Sequence, residues 1–148
     1  AEWRIPGERM KMREEHIVPL SHQALGLLRG LREYPGPQTS LFPNRRRANA
    51  CMTPTTLNRA LERMGFLGEG TIGFSGHGFR ATASTMLNEA GIRPDVVERQ
   101  LAHEERNQVR AAYNRATYLP ERRIMMQTWA DMIDEISKER LQIAANAA

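Results

Sequence analysis

Prolines and glycines cut this chain into helix-length pieces after a single pair of strand-like stretches, and that punctuation constrains its fold more than any other feature. Glu2-Trp3-Arg4-Ile5-Pro6 alternates in character and reads as a short strand. His16-Ile17-Val18-Pro19-Leu20 reads as a second. Between them, Gly7 to Met12 forms a basic loop, so the two strands are expected as an antiparallel hairpin or the end of a small sheet. Proline cannot donate to a ladder, which puts Pro19 at an edge or a strand end.

Helices account for most of the remaining chain. Ser21 is the cap of an amphipathic helix to about Tyr34, with Leu25, Leu28 and Leu31 at helical spacing, and Pro35-Gly36-Pro37 stops it. Gln38 to Met52 is expected as a loop. Thr53-Pro54 starts a second helix, with Leu57, Ala60, Leu61 and Met64 as its stripe and Gly65 at its end. Phe66 to Gly76 is Gly-rich and loop-like, and contains no GxxxxGK[ST] phosphate loop. A third helix opens at Ser75 or Gly76 and runs to about Ala90, with Phe79 and Ala83 expected to face a core; Gly91 ends it. Pro94 starts a fourth through Leu101, Asn107 to Arg115 forms a further helical patch, and Glu121 to Ile136 closes the domain. Ala144 to Ala148 reads as a weakly structured tail. The expected class is mainly α with a small N-terminal antiparallel β element.

Composition narrows the setting. At 148 residues, with 41% hydrophobic and 26% charged, the chain is long enough for one domain with its own core. No apolar run approaches the roughly 20 residues of a membrane span. The start, Ala1-Glu2-Trp3-Arg4, lacks the apolar stretch of a secretory signal. The single Cys51 excludes an internal disulfide framework and a cysteine-based zinc site. A reducing, cytoplasmic setting is expected, with no membrane partner. The abrupt beginning reads as a fragment of a longer protein. The net charge of +4 is carried mostly by arginine, whose planar fork of donors grips phosphate bidentately, so nucleic acid is the first partner to consider. Arg45-Arg46-Arg47 is either a solvated loop or a phosphate-contacting one.

Three short motifs carry chemistry. In His77-Gly78-Phe79-Arg80, the His and Arg stand three apart and share a helix face, where both can donate to an anionic oxygen. Leu101-Ala102-His103 brings a second His, and Tyr113 follows ten residues later. A tyrosine nucleophile needs help, because its pKa is about 10; nearby guanidinium groups and a base lower the cost of the phenolate. Taken singly, each residue has an ordinary alternative: a surface ion pair for His77 and Arg80, a helix C-terminal charge for His103, a buried structural ring for Tyr113.

As an ordered set these motifs resemble the catalytic domain of the tyrosine recombinases, specifically phage-type integrases. The resemblance runs from about Trp3 to Ile136 and includes Glu8-Arg9-Met10-Lys11, His16 to Ser21, Asp95 to His103, Arg110 to Arg115 and Trp129-Ala130-Asp131. It implies site-specific recombination and integration by cleavage and rejoining of DNA strands. Tyr113 would be the nucleophile that forms a 3′-phosphotyrosine link and frees a 5′-hydroxyl. Arg80 would clamp the non-bridging oxygens, His77 would serve acid–base chemistry near the nucleophile, and His103 would donate to the phosphate. Lys11, the only lysine of the hairpin, would protonate the leaving 5′-oxygen. Arg9, Arg13, Arg45, Arg46, Arg47 and Arg115 would contact DNA. No metal or other cofactor is expected, and double-stranded DNA is the implied partner. Self-association on it, as a tetrameric synapse in the parent protein, is implied as well.

The resemblance departs at one place. The family's first catalytic arginine lies in a helical segment upstream of the β element, and nothing here matches it. Residues 1–136 are accordingly expected as a partial catalytic domain, truncated at its N-terminus, with 137–148 as a C-terminal tail. Losing one transition-state donor costs about 10²–10³ in rate, so the isolated chain is expected to be weak or inactive. The alternative is a non-catalytic DNA-binding or interaction module, the remnant of a prophage integrase. A type IB topoisomerase shares the chemistry but fits the flanking segments less well.

Overall fold

The computed structural model describes residues 1–33, 40–44, 47, 50–102 and 117–146. Its elements are β1 (Glu2–Ile5), β2 (His16–Pro19), α1 (His22–Glu33), α2 (Thr55–Arg63), α3 (Gly76–Glu89), α4 (Pro94–Gln100) and α5 (Leu119–Asn146). The class is therefore mainly helical with a two-stranded antiparallel sheet. The chain divides into two units, Ala1–Leu25 with Met86–Ala148, and Gly26–Thr85.

In the first unit, β1 pairs with β2 from Glu2 opposite Pro19 to Ile5 opposite His16. Pro19 ends its strand, and the adjacent Leu20 N–H donates to the Ala1 carbonyl at 3.0 Å, so the missing proline donor leaves no gap in the ladder. The loop between the strands is compact. A 3-10 turn over Gly7–Arg9 leads into a bend in which the Arg13 N–H donates to the Met10 carbonyl at 3.0 Å, with Arg13 in the left-handed region at φ 54°. Gly7 is required by close approach: a Cβ there would stand 2.8 Å from the Arg13 carbonyl carbon and 3.3 Å from the Glu14 nitrogen. These are backbone atoms, so the loop itself would have to move. Gly7→Ala gains about 0.4–1 kcal/mol from a stiffer unfolded chain. Forcing the extra methyl into a packed site costs about 1–3 kcal/mol, which wins. Chemical denaturation is expected to show Gly7→Ala destabilised. Gly26→Ala, in α1 with open space at its Cβ, is expected to be stabilised.

The core of this unit is Leu87, Val96, Val97 and Met125, from α3, α4 and α5, with Ile92, Leu101, Tyr118, Met126 and Trp129 packed against it. Burying each of the four contributes about 1.5–3 kcal/mol. Caps fix where the helices begin and end. The Ala24 N–H donates to Ser21 Oγ at 3.2 Å, Pro94 occupies the first turn of α4, and Gly91 takes φ 80° after α3. Ile92 N–H then donates to the Leu87 carbonyl at 3.0 Å, closing the turn over the core. α5 is fastened to the start of α1 by polar contacts. Gln127 Oε1 accepts from the His22 N–H at 3.0 Å, and Asp131 Oδ1 accepts from Gln23 and Gln127 at 2.8 and 2.9 Å. Those donors, Gln23 first, hold the Asp131 carboxyl below its usual range.

In the second unit, Leu61 is the buried residue of the α2 stripe, while Leu57 and Met64 are exposed. Gly65 ends the α2 region at φ 78°, with the Phe66 N–H donating to the Leu61 carbonyl at 2.9 Å. Within the expected 38–52 loop, an antiparallel bridge pairs Pro43 with Cys51, and the Met52 N–H donates to the Phe42 carbonyl at 2.7 Å.

Two expectations differ from the structure. The last helix does not stop at Ile136: α5 continues to Asn146, because Lys138, Glu139, Arg140, Leu141, Gln142, Ala144 and Ala145 are good helix formers with no glycine or proline among them. Phe79 does not face a core. It is 50% exposed and meets the edge of the Phe74 ring, centroids 4.9 Å apart at 88°. The expected helix over Asn107 to Arg115 lies outside the described residues.

Candidate active site

The first turn of α3 carries the His-Arg pair. Its start is held by α2: the Gly76 N–H donates to Asn58 Oδ1 at 2.8 Å, which satisfies one of the helix's orphan donors from a neighbouring helix. Gly76 packs tightly here, since a Cβ would meet Leu57 Cδ2 at 3.1 Å and Asn58 Oδ1 at 3.2 Å, and those side chains would have to give by a few tenths of an ångström. Gly78 has to be small, because the Phe74 ring lies where its Cβ would be, 2.8 Å from the nearest ring carbon. With Phe74 seated on Gly78, His77 and Arg80 are left exposed at the same end of α3. They stand three residues apart, on one face, at the end of the helix where the macrodipole favours an anion.

The hairpin carries the basic loop. Arg9 closes the 3-10 turn, Lys11 follows in the bend, and Arg13 ends it, all three exposed. Lys11 also lines a cavity of about 220 Å³, together with Met10, His16, Arg99 and Arg122 among the described residues. The acidic Glu14 and Glu15 line it too, so its charge is mixed rather than uniformly basic.

Arg122 is the residue that sequence reasoning missed. It is only 2% exposed, in the first turns of α5. Its guanidinium spreads over three acceptors: Nε donates to Gln100 Oε1 at 2.8 Å, Nη1 to the Thr117 carbonyl at 3.2 Å, and Nη2 to the Ile17 carbonyl. No carboxylate pairs with it among the described residues. Burial, and then the nearby Arg99 charge, push its pKa down to about 10. His16, next to Ile17, completes the arrangement: its Nε2 lies 3.1 Å from the Gln100 carbonyl, which can only accept, so Nε2 carries the proton. One signal was available. Arg122 stands three residues before Met125, on the apolar stripe of its helix, where a charge is out of place.

Thus the structure brings His77 together with Arg80 in the second unit, and Arg9 and Arg13 with Lys11 in the first. Arg47 is exposed, its backbone N–H donating to Asn44 Oδ1 at 3.2 Å. His103, Tyr113, Arg115, Arg45 and Arg46 lie outside the described residues. The other tyrosine of this region, Tyr118, packs on the Leu87–Met125 core with the Arg93 guanidinium 5.2 Å above its ring. No helix among the described residues is long and apolar enough to cross a membrane.

Comparison with known proteins bears on this arrangement. The chain is 47% identical to the prophage integrase IntA of Escherichia coli K12 over 133 residues, 90% of this chain and 31% of that protein. It is 46% identical to the integrase of Enterobacteria phage P4 over 146 residues, 89% of this chain and 33% of that one. It is 39% identical over 127 residues to the integrase of Shigella phage Sf6, 85% of this chain and 32% of that protein. The chain thus spans about a third of the length of these relatives. No solved structure matches it. Residues 1–119 match the phage integrase family, and the chain belongs to that family.

Proposed function

We propose that this chain is the catalytic part of a site-specific DNA recombinase that cleaves and rejoins strands through a 3′-phosphotyrosine link. The observation that carries the reading is the pairing of His77 and Arg80 on the exposed first turn of α3, in a chain of the phage integrase family. Tyr113 attacks the phosphorus, its proton passing to His77. Charge builds on the non-bridging oxygens, where Arg80 and His103 donate. The bond to the 5′-oxygen breaks, and Lys11 delivers the proton that the leaving oxygen needs. Energy stays in the phosphotyrosine bond, so a second 5′-hydroxyl reverses the step on a new strand without ATP. The guanidinium of Arg80 supplies charge that a divalent ion supplies in other phosphoryl-transfer sites.

Residues 1–136 form this catalytic portion and 137–148 its tail, and protomers assemble as a tetramer on two duplexes.

The test is a nicked duplex bearing a recombination site, chosen by selecting the DNA that the protein binds most tightly. A denaturant-resistant protein–DNA adduct is expected; a protein that binds this DNA and never attaches to it contradicts the reading. Binding should also weaken with salt, because neutralised phosphates release counterions. Replacing Arg9, Arg13, Arg45, Arg46, Arg47 or Arg115 by glutamine should reduce the slope of log K against log salt by about 1 for each phosphate left without its arginine. A slope unchanged by all six removes them from the interface.

A further inference from the structure

Arg122 takes no part in that reaction, yet its burial and its three acceptors set it apart among the described residues. The acceptors belong to three different segments. Ile17 is in β2, the strand that leaves the Lys11 loop. Gln100 ends α4, immediately before residues 101–116, and Thr117 follows them. That interval contains His103 and Tyr113. The His16 bond to the Gln100 carbonyl closes a ring through His16, Gln100, Arg122 and Ile17. One guanidinium therefore ties the Lys11 hairpin to both ends of the stretch that carries the other two groups.

A stabilising role explains this poorly. Among the described residues no carboxylate stands beside this buried cation, and an apolar side chain of similar volume would avoid the desolvation. What arginine offers is a rigid planar fork that donates in several directions at once, which neither an apolar chain nor a lysine can copy.

We propose that Arg122 is a positioning residue that fixes the Lys11 hairpin relative to Gln100 and Thr117, the described residues on either side of His103 and Tyr113 in the sequence. This rests on the function proposed above. A misplacement of about 1 Å in a reacting group costs up to about 10²-fold in rate, so loss of the tie falls on proton delivery by Lys11.

The experiment uses the full protein that carries this chain, with Arg122→Lys, Arg122→Met and the milder Gln100→Met, which removes one anchor and leaves the arginine. Adduct formation is timed on two nicked duplexes, one ordinary and one with sulfur in place of the leaving 5′-oxygen. Sulfur leaves as a thiolate and needs no proton donor. The Arg122 variants should slow the oxygen substrate by about 10–100-fold and the sulfur substrate by less than about 3-fold. Gln100→Met should show the same selectivity with a smaller loss, and DNA affinity should stay within about 2-fold. Equal losses on both substrates, losses that follow affinity or folded fraction, or no loss at all would overturn the proposal. Two reference variants separate it from the functional reading. Lys11→Ala must be rescued by sulfur, and Tyr113→Phe must be inactive on both substrates. If either fails, the proposed function falls and this inference with it; if both hold, the Arg122 result stands by itself.

Discussion

Tyr113→Phe is expected to abolish the covalent protein–DNA adduct on a nicked duplex while leaving DNA binding intact. The change removes one oxygen and keeps the ring, so the loss reads the nucleophile alone. Tyr118→Phe is the matched control. Tyr118 sits at φ 47°, with its ring against the Leu87, Val96, Val97 and Met125 cluster and beneath Arg93. Phenylalanine keeps that ring, so the Tyr118 variant should form adducts at close to the parent rate. Adducts lost in Tyr118→Phe and kept in Tyr113→Phe would exchange the two assignments.

The second large effect is expected at Arg80. Removing one preorganised donor from a charged transition state costs about 10²–10³ in rate. Arg80→Ala should therefore slow cleavage by that factor in a protein that still folds, because Arg80 is exposed on α3 and contributes nothing to the buried core. Arg80→Lys should recover only part of it, since a point charge cannot donate the two parallel bonds of a guanidinium. His77→Gln serves as the companion. It keeps a hydrogen-bond donor but cannot take the proton that Tyr113 gives up, so cleavage should slow while DNA binding stays. A cleavage rate in Arg80→Ala within about 3-fold of the parent would remove Arg80 from the site.

Much of what is local in this fold was legible in the sequence. The Ser21 cap, Pro94 in the first turn of α4 and the left-handed glycines Gly65 and Gly91 each depend on a few neighbouring residues, and each stands where its residue type belongs. The hairpin followed from two alternating runs and a loop. The long-range contacts were not legible. Asn58 capping α3 spans 18 positions, and Arg122 reaching Ile17 spans 105. Neither leaves a periodic trace. A charged residue in a helix reads as surface, and Arg122 contradicts that reading only through its place on the Met125 stripe. Phe79 shows the opposite failure, an aromatic ring read as core that stands half exposed against the edge of Phe74. The extension of α5 past Ile136 was hidden because the apolar stripe fades before helix propensity does.

For the site, the sequence carried the order of His77, Arg80 and Lys11, and the fold supplies the reasons for their exposure. Gly78 makes room for Phe74, Asn58 fixes the first turn of α3, and Gly7 packs the Lys11 loop against its own backbone. Family membership adds that the same kind of chain occurs in integrases of phages and prophages.

The central question is which atom becomes bonded to DNA. The direct measurement is to trap the adduct on a nicked duplex, digest protein and DNA, and identify the modified peptide by mass spectrometry. The expected product is a nucleotide 3′-phosphate on Tyr113, with its 5′-hydroxyl partner strand released. A phosphate on Tyr118 or on any other side chain, or a 5′-linked phosphate on Tyr113, would contradict the proposed chemistry.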